Sequence, residues 1–169
     1  EILLIAVSIN NAPVIVYDLT KDKLPNLILQ ALIDDTVIKW AFNATFERIC
    51  LSNWIKKHYP TLLNENFLSP NSWRCSMIWS AYLGLPLSLE GVGTVLKLRE
   101  QKLKVGSELI RYFCLPCKPT KINGGRTRNY ENHAPEKWKN FIEYNKRDVE
   151  VELAIKKRLQ NFPVPDFVW

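Results

Sequence analysis

Thr36-Val37-Ile38-Lys39-Trp40-Ala41, continued by Phe42 and then Asn43-Ala44-Thr45-Phe46-Glu47, reads as a buried strand handed directly to a helix. The first six residues are rich in β-branched and aromatic side chains, which suit a covered, pleated surface. Asn43 is a good helix N-cap, and Phe46, Ile49, Cys50 and Trp54 then recur at helical spacing toward His58. A strand whose C-terminal end meets a helix is the building unit of α/β folds, and sites gather at that end. Here it places Asn43 and Glu47 one turn apart. A capped helix with an acid in its first turn, complementing the helix dipole, accounts for the same two residues.

Upstream, apolar residues 2–9 and 14–17 flank Asn10-Asn11-Ala12-Pro13 and predict a hairpin. Pro25 opens a short helix over 26–33, which Asp34-Asp35 break. Downstream, 59–72 is polar, and 73–83 and 89–98 predict two helices separated by Gly84-Leu85-Pro86, the second beginning after Ser88. A short amphipathic piece, 107–113, leads into an irregular segment with Pro116, Lys118, Pro119, Lys121, Gly124, Gly125, Arg126 and Arg128. A solvated surface loop is the plain reading of that segment. Pro135 fits the first position of a last helix running to about Leu159, and Phe162-Pro163-Val164-Pro165 reads as a boundary. No internal repeat or low-complexity tract interrupts the pattern.

On that last helix Phe141, Tyr144, Asp148, Val151, Ile155 and Leu159 recur at helical spacing, so a carboxylate stands in an apolar stripe. Isolated buried charge is costly, and such an acid is paired, hydrogen-bonded, neutralised or metal-bound. Tyr144 lies one turn before Asp148 on the same face, a phenol beside a carboxylate, which points to chemistry on phosphates. An ion pair of Asp148 with Lys146, Arg147 or a base elsewhere is the competing reading.

A chain of 169 residues with 47% hydrophobic content builds one core and one domain. The 23 Lys and Arg against 17 Asp and Glu, net +6, suit a polyanionic partner. No apolar run approaches the ~20 residues of a membrane span and no signal peptide opens the chain, so a soluble intracellular protein is expected. Cys50, Cys75, Cys114 and Cys117 show no disulfide framework. Cys114 and Cys117 have the spacing of half a zinc site, with His133 as a third donor, although one such pair without its mate is more often two reduced thiols. Trp40, Trp54, Trp73, Trp79 and Trp138 suit core packing better than a base-stacking platform.

Taken together, Asn43-x-x-Phe46-Glu47 and Tyr144-x-x-x-Asp148 resemble the second and third motifs of proofreading 3′-to-5′ exonucleases with four acidic residues and a tyrosine. The whole chain looks like the exonuclease region of phage and prophage family A DNA polymerases. The resemblance is carried by Lys39-Trp40-Ala41-Phe42-Asn43-Ala44-Thr45-Phe46-Glu47-Arg48, Trp73-Arg74-Cys75-Ser76-Met77, Tyr82-Leu83-Gly84-Leu85-Pro86-Leu87-Ser88-Leu89, Arg111-Tyr112-Phe113, Lys118-Pro119-Thr120-Lys121 and Gly125-Arg126-Thr127-Arg128-Asn129. It implies an α/β, ribonuclease H-like mixed sheet flanked by helices. It further implies two Mg²⁺ or Mn²⁺ ions on acids that include Glu47 and Asp148, with Tyr144 orienting the attacking water. Asn43 would support the second motif or touch substrate, and with Phe46, Lys118, Lys121, Arg126 and Arg128 it completes the expected contacts to single-stranded or primer-terminus DNA. Residues 162–169 would lead to a polymerase domain, in the cytoplasm of a bacterial cell.

Two features depart from that family. Its first motif, an Asp-x-Glu on an early strand, is absent, and Glu1 occupies a spacer position just before the second strand. The chain is therefore expected to begin downstream of that motif, lacking two of four carboxylates and the central strand. Such a chain should show a rearranged sheet or strand pairing between two copies, and negligible nuclease activity in isolation. Relatives also often carry Asp where Glu47 stands, which keeps a ligand, and His where Phe42 stands, which does not keep its polar group. The alternative is a catalytically inactive nucleic-acid-binding or structural module of a replication protein.

Overall fold

Residues 1–99 and 106–169 are described by the computed structural model. β1 (Leu4–Val7) and β2 (Ile15–Asp18) form the expected antiparallel hairpin, with Leu4 opposite Asp18 and Val7 opposite Ile15. Its turn uses Asn10 and Asn11 at φ 51° and 63°, the left-handed region that Asn tolerates better than most residues. α1 (Asn26–Ile33) follows Pro25 as the sequence predicts. β3 (Lys39–Ala41) is shorter than the predicted 36–41. Asp34 Oδ1 accepts from the Thr36 amide at 2.8 Å and hydroxyl at 2.7 Å, a local turn that leaves Val37 and Ile38 37% and 48% exposed.

α2 (Ala44–His58) starts where expected, but its buried face is not the one expected. Phe46 is 60% exposed and Ile49 is also at the surface, whereas Ala44, Ser52, Trp54 and Ile55 are buried. Ser52 explains part of the rotation. Its hydroxyl donates to the Arg48 carbonyl at 2.6 Å and accepts from the Leu68 amide at 2.9 Å, so a polar side chain is buried in order to fasten the following loop.

The single helix expected over 73–83 is corrected. Trp73–Cys75 forms β4, parallel to β3 with Lys39 opposite Trp73 and Ala41 opposite Cys75, and α3 (Ser76–Tyr82) follows at once. α4 (Leu89–Val95) is capped by Ser88, whose Oγ accepts from the Gly91 amide at 3.1 Å. α5 (Gly106–Cys114) and α6 (Pro135–Leu159), with Pro135 in its first turn, complete the α-helices among the described residues.

Among the described residues the strands make two separate pairs, β1–β2 and β3–β4, instead of one sheet. Both pairs share one core: Ile5 and Val7 of β1, Ala41 of β3 and Cys75 of β4 pack with Ile28 and Leu29 of α1 and Trp54 and Ile55 of α2. On the opposite side the two pairs have separate cores, both closed by α6. Leu3 and Leu4 meet Leu109 and Phe113 of α5 and Trp138, Phe141 and Tyr144 from the first half of α6. Trp40 of β3, Trp79 of α3 and Val92 of α4 meet Val151, Ile155 and Leu159 from its second half. Helices thus cover both faces of a divided strand layer, a mixed α/β arrangement and a partial ribonuclease H-like fold. Burying each of these α6 side chains contributes roughly 1.5–3 kcal/mol, so the 25-residue helix is the main brace across the division.

After α6 the chain turns back. Trp79 Nε1 donates to the Phe162 carbonyl at 2.9 Å, and Trp169 lies edge-on to Trp40 and Trp79 at 5.2 and 5.5 Å between ring centres.

Gly106 opens α5 against the Tyr144 ring, and a β-carbon there would collide with the ring's Cε2 and Cζ. Gly106→Ala should therefore lower stability by about 1–3 kcal/mol, read from the urea midpoint. Gly93→Ala is the control: its added carbon meets Val151 Cγ1 at an ordinary 3.7 Å, so helix propensity alone should leave stability equal or higher.

Candidate active site

Because β3 and β4 are parallel, their C-terminal ends lie together, and each leads into a helix within a few residues. α6 reaches that end through Glu152. Its carboxyl accepts from the Ser76 hydroxyl at 2.7 Å and takes a backbone hydrogen bond from Phe42, the residue after β3. The residue as a whole keeps some accessible surface, but the carboxyl group is enclosed. Burial raises its pKa to about 7, and the nearby Glu47 charge adds to the rise, while Ser76, Lys156 and Phe42 oppose it.

Glu47, in the first turn of α2, faces the same place. Burial raises its pKa too, and its Oε2 is enclosed with no hydrogen-bond partner. Lys156 has its ammonium 4.7 Å from the Trp40 ring centre, and burial lowers its pKa.

Asp148 lies one turn before Glu152 on α6, half-buried, between the last residue of one core, Tyr144, and the first of the other, Val151. Lys146 and Arg147, the cations beside it in sequence, engage Glu143 and Glu150 along the helix at 3.3–3.8 Å. Tyr144 shares the Asp148 face, as predicted, and is buried at 6% exposure beside Phe141 and Leu4, against Gly106.

Asn43 sits at the N-cap position of α2, but its exposed side chain makes no capping bond, which corrects the expected role. With Phe46 it leaves an open polar and aromatic surface beside Glu47.

The predicted DNA-contacting cations separate into two kinds. Lys118 and Lys121 are exposed. Arg126 is tied into its own loop, donating from Nε to Asn129 Oδ1 at 2.9 Å and from Nη1 to the Asn123 carbonyl at 3.2 Å. Arg128 pairs with Glu1 and stacks over the Tyr130 ring. The segment is not slack: Asn123 Oδ1 accepts from the Thr120 and Gly125 amides, its Nδ2 donates to the Lys118 carbonyl at 2.8 Å, and Gly124 and Gly125 supply positive φ for the turn. Asn129 is buried and donates to the Tyr112 carbonyl at 3.0 Å, fastening the loop to α5. Of the donors considered for zinc, Cys117 Sγ points to the Arg126 carbonyl at 3.5 Å and His133 Nδ1 accepts from the Tyr130 amide at 2.8 Å, while Cys114 is an exposed free thiol.

The arrangement is thus partial. Glu47 and Glu152 sense each other, and Glu152 stands one turn from Asp148, yet among the described residues no three His, Cys, Asp or Glu side chains form a metal cluster. The oxygen donors suit a hard cation, and the enclosed, unpartnered Oε2 of Glu47 favours one, but the number of donors falls short of a complete centre. Glu152 is the residue that sequence reasoning missed. The signal was present, since it continues the helical spacing of Asp148, Ile155 and Leu159.

These features define a class: an α/β, ribonuclease H-like fold with acids at the carboxyl ends of its parallel strands. No family model and no solved structure matches the chain. It is similar to a DNA polymerase of Bacillus phage SP02, 48% identical over 163 residues, which are 96% of this chain. The chain spans about a quarter of that relative's length, 24%. No helix among the described residues is long and apolar enough to cross a membrane.

Proposed function

We propose that the chain is the 3′-to-5′ proofreading exonuclease region of a phage or prophage DNA polymerase, acting on a single-stranded or primer-terminus 3′ end. The observation that carries this reading is the enclosed Glu47 carboxylate in the first turn of α2, beside Glu152 of α6, in a chain that is similar over nearly its whole length to a phage DNA polymerase. Glu47 and Asp148 would hold Mg²⁺ or Mn²⁺, which when bound activates water and stabilises the leaving oxygen. The chain's own residues supply the rest. Asn43 and Phe46 present a surface to the terminal nucleotide, and Lys118 and Lys121 offer exposed cations to the phosphates. Tyr144 would set the attacking water by its hydroxyl. A polymerase domain in the same polypeptide is part of the proposal.

This chain carries two of the four carboxylates that the resemblance implies. Cleavage of 5′-labelled single-stranded DNA with MgCl₂ or MnCl₂ is therefore expected to be negligible for the chain alone, and clear when it is fused behind a strand carrying Asp-x-Glu. In the fusion, Asp148→Asn should reduce the rate at least about 100-fold. A fusion that does not cleave, or that cleaves equally well without Asp148, would sink the exonuclease reading. The ordered basic loop favours one alternative, a nucleic-acid-binding module without chemistry. Salt-dependent DNA binding by a non-cleaving fusion, unchanged by Glu47→Gln or Asp148→Asn, is its signature.

A further inference from the structure

We propose that Glu152 is a positioning residue: from α6 its carboxyl group holds the backbone just after β3 and the first residue after β4, and so sets where Glu47 stands relative to Asp148. Its functional meaning rests on the exonuclease reading, while its existence rests on geometry alone.

Three elements converge on this side chain. Ser76, the first residue of α3, donates its hydroxyl at 2.7 Å, and the Phe42 backbone, next after β3, adds a weaker hydrogen bond. Ser76 is fully buried and anchored in turn, because its carbonyl accepts from the Ser80 hydroxyl at 2.8 Å. Phe42 is followed by Asn43 and the first turn of α2, which carries Glu47. On α6, Asp148 precedes Glu152 by four residues, about 6 Å along the axis.

One carboxyl group taking hydrogen bonds from two strand ends restrains both the separation and the rotation of those ends, since each bond has a preferred direction. Its removal would leave the Phe42 amide and the Ser76 hydroxyl without their acceptor in an enclosed place, which native proteins rarely tolerate. The carboxyl keeps this post although burial disfavours its charge and the Glu47 charge opposes it. Lys156, on its own helix, offsets that charge, and Ser76 and Phe42 face it from the packed elements.

Glu152→Gln retains an oxygen acceptor for these donors, and Glu152→Ala removes it. In hydrogen exchange followed by NMR on this chain, the Phe42 amide should exchange at least about tenfold faster in Glu152→Ala and near the wild-type rate in Glu152→Gln. The amide resonances of residues 43–47 should move in the Ala variant only, while protection at Ile55 and Phe113, deep in the cores, reports global stability. If Glu152→Ala does not fold, Ser76→Ala takes its place, and residues 42–47 must then respond by the same criteria while Ser76→Thr restores them. Wild-type exchange at Phe42 in the Ala variant, or equal acceleration in the Gln and Ala variants, overturns the proposal.

Titration with MnCl₂ tests the underlying site separately. Line broadening at residues 43–47 and 147–152 that disappears in Asp148→Asn supports the site. Its absence in the wild type counts against the exonuclease reading and leaves the Phe42 result standing.

Discussion

Glu152→Gln should stabilise the protein by about 3 kcal/mol at pH 8 and by almost nothing near pH 4. The carboxyl titrates at about 7 in the folded protein against 4.5 for an ordinary glutamate. At about 1.4 kcal/mol per tenfold change in proton affinity, that difference amounts to about 3 kcal/mol, an order-of-magnitude figure for an enclosed group. The folded state binds this proton more tightly than the unfolded chain. The stability it contributes is therefore fully present below pH 4.5 and is lost as pH rises through about 7. Burial is the main cause, and Glu47 from α2 acts in the same direction. Glutamine keeps the acceptor for Ser76 and removes the charge. Urea denaturation of both proteins from pH 4 to pH 8 checks this, and parallel pH profiles for the two would refute it.

Phe113→Ala is expected to cost about 3–5 kcal/mol, enough to threaten folding of a domain of this size. Phe113 is 0% exposed, edge-on to Trp138 at 4.8 Å and stacked on Phe141 at 5.4 Å between ring centres. It pins α5 to α6, and the α5 carbonyl of Tyr112 in turn anchors the basic loop through Asn129. The same change should therefore loosen Lys118 and Lys121 as well as the core. Chemical denaturation reads the stability, and amide exchange across residues 115–130 reads the loop. A variant that loses less than about 1 kcal/mol would mean that the core collapses around the gap more completely than such sites usually do.

Local reading succeeded where one segment carried its own signal. Pro25 and Pro135 marked helix starts, Ser88 marked a cap, and Asn10-Asn11 marked a turn. It failed where a distant partner decided the outcome. Trp73–Cys75 looks helical by pattern and is a strand because β3 offers its backbone as a parallel partner. Phe46 looks like core and is exposed, whereas Ser52, an unremarkable polar residue in sequence, is buried on the same helix and fastens Leu68. Arg126 and Arg128 read as free cations, yet their charges are engaged by Asn129 and Glu1.

Within the candidate site, the sequence by itself determined which residues could take part: an acid one turn into a helix at a strand end, and a tyrosine and an acid on one helical face. Backbone periodicity and capping chemistry are short-range, and they are legible in short-range spacing. Only the tertiary structure decided that the strand layer is divided in two, that α6 spans the division with Asp148 between its two cores, and that Glu152 ties that helix to the ends of β3 and β4. The enclosure that raises the pKa of Glu47 and Glu152 is built by side chains from α2, α3, α6 and the end of β3 together. No spacing along one segment records it.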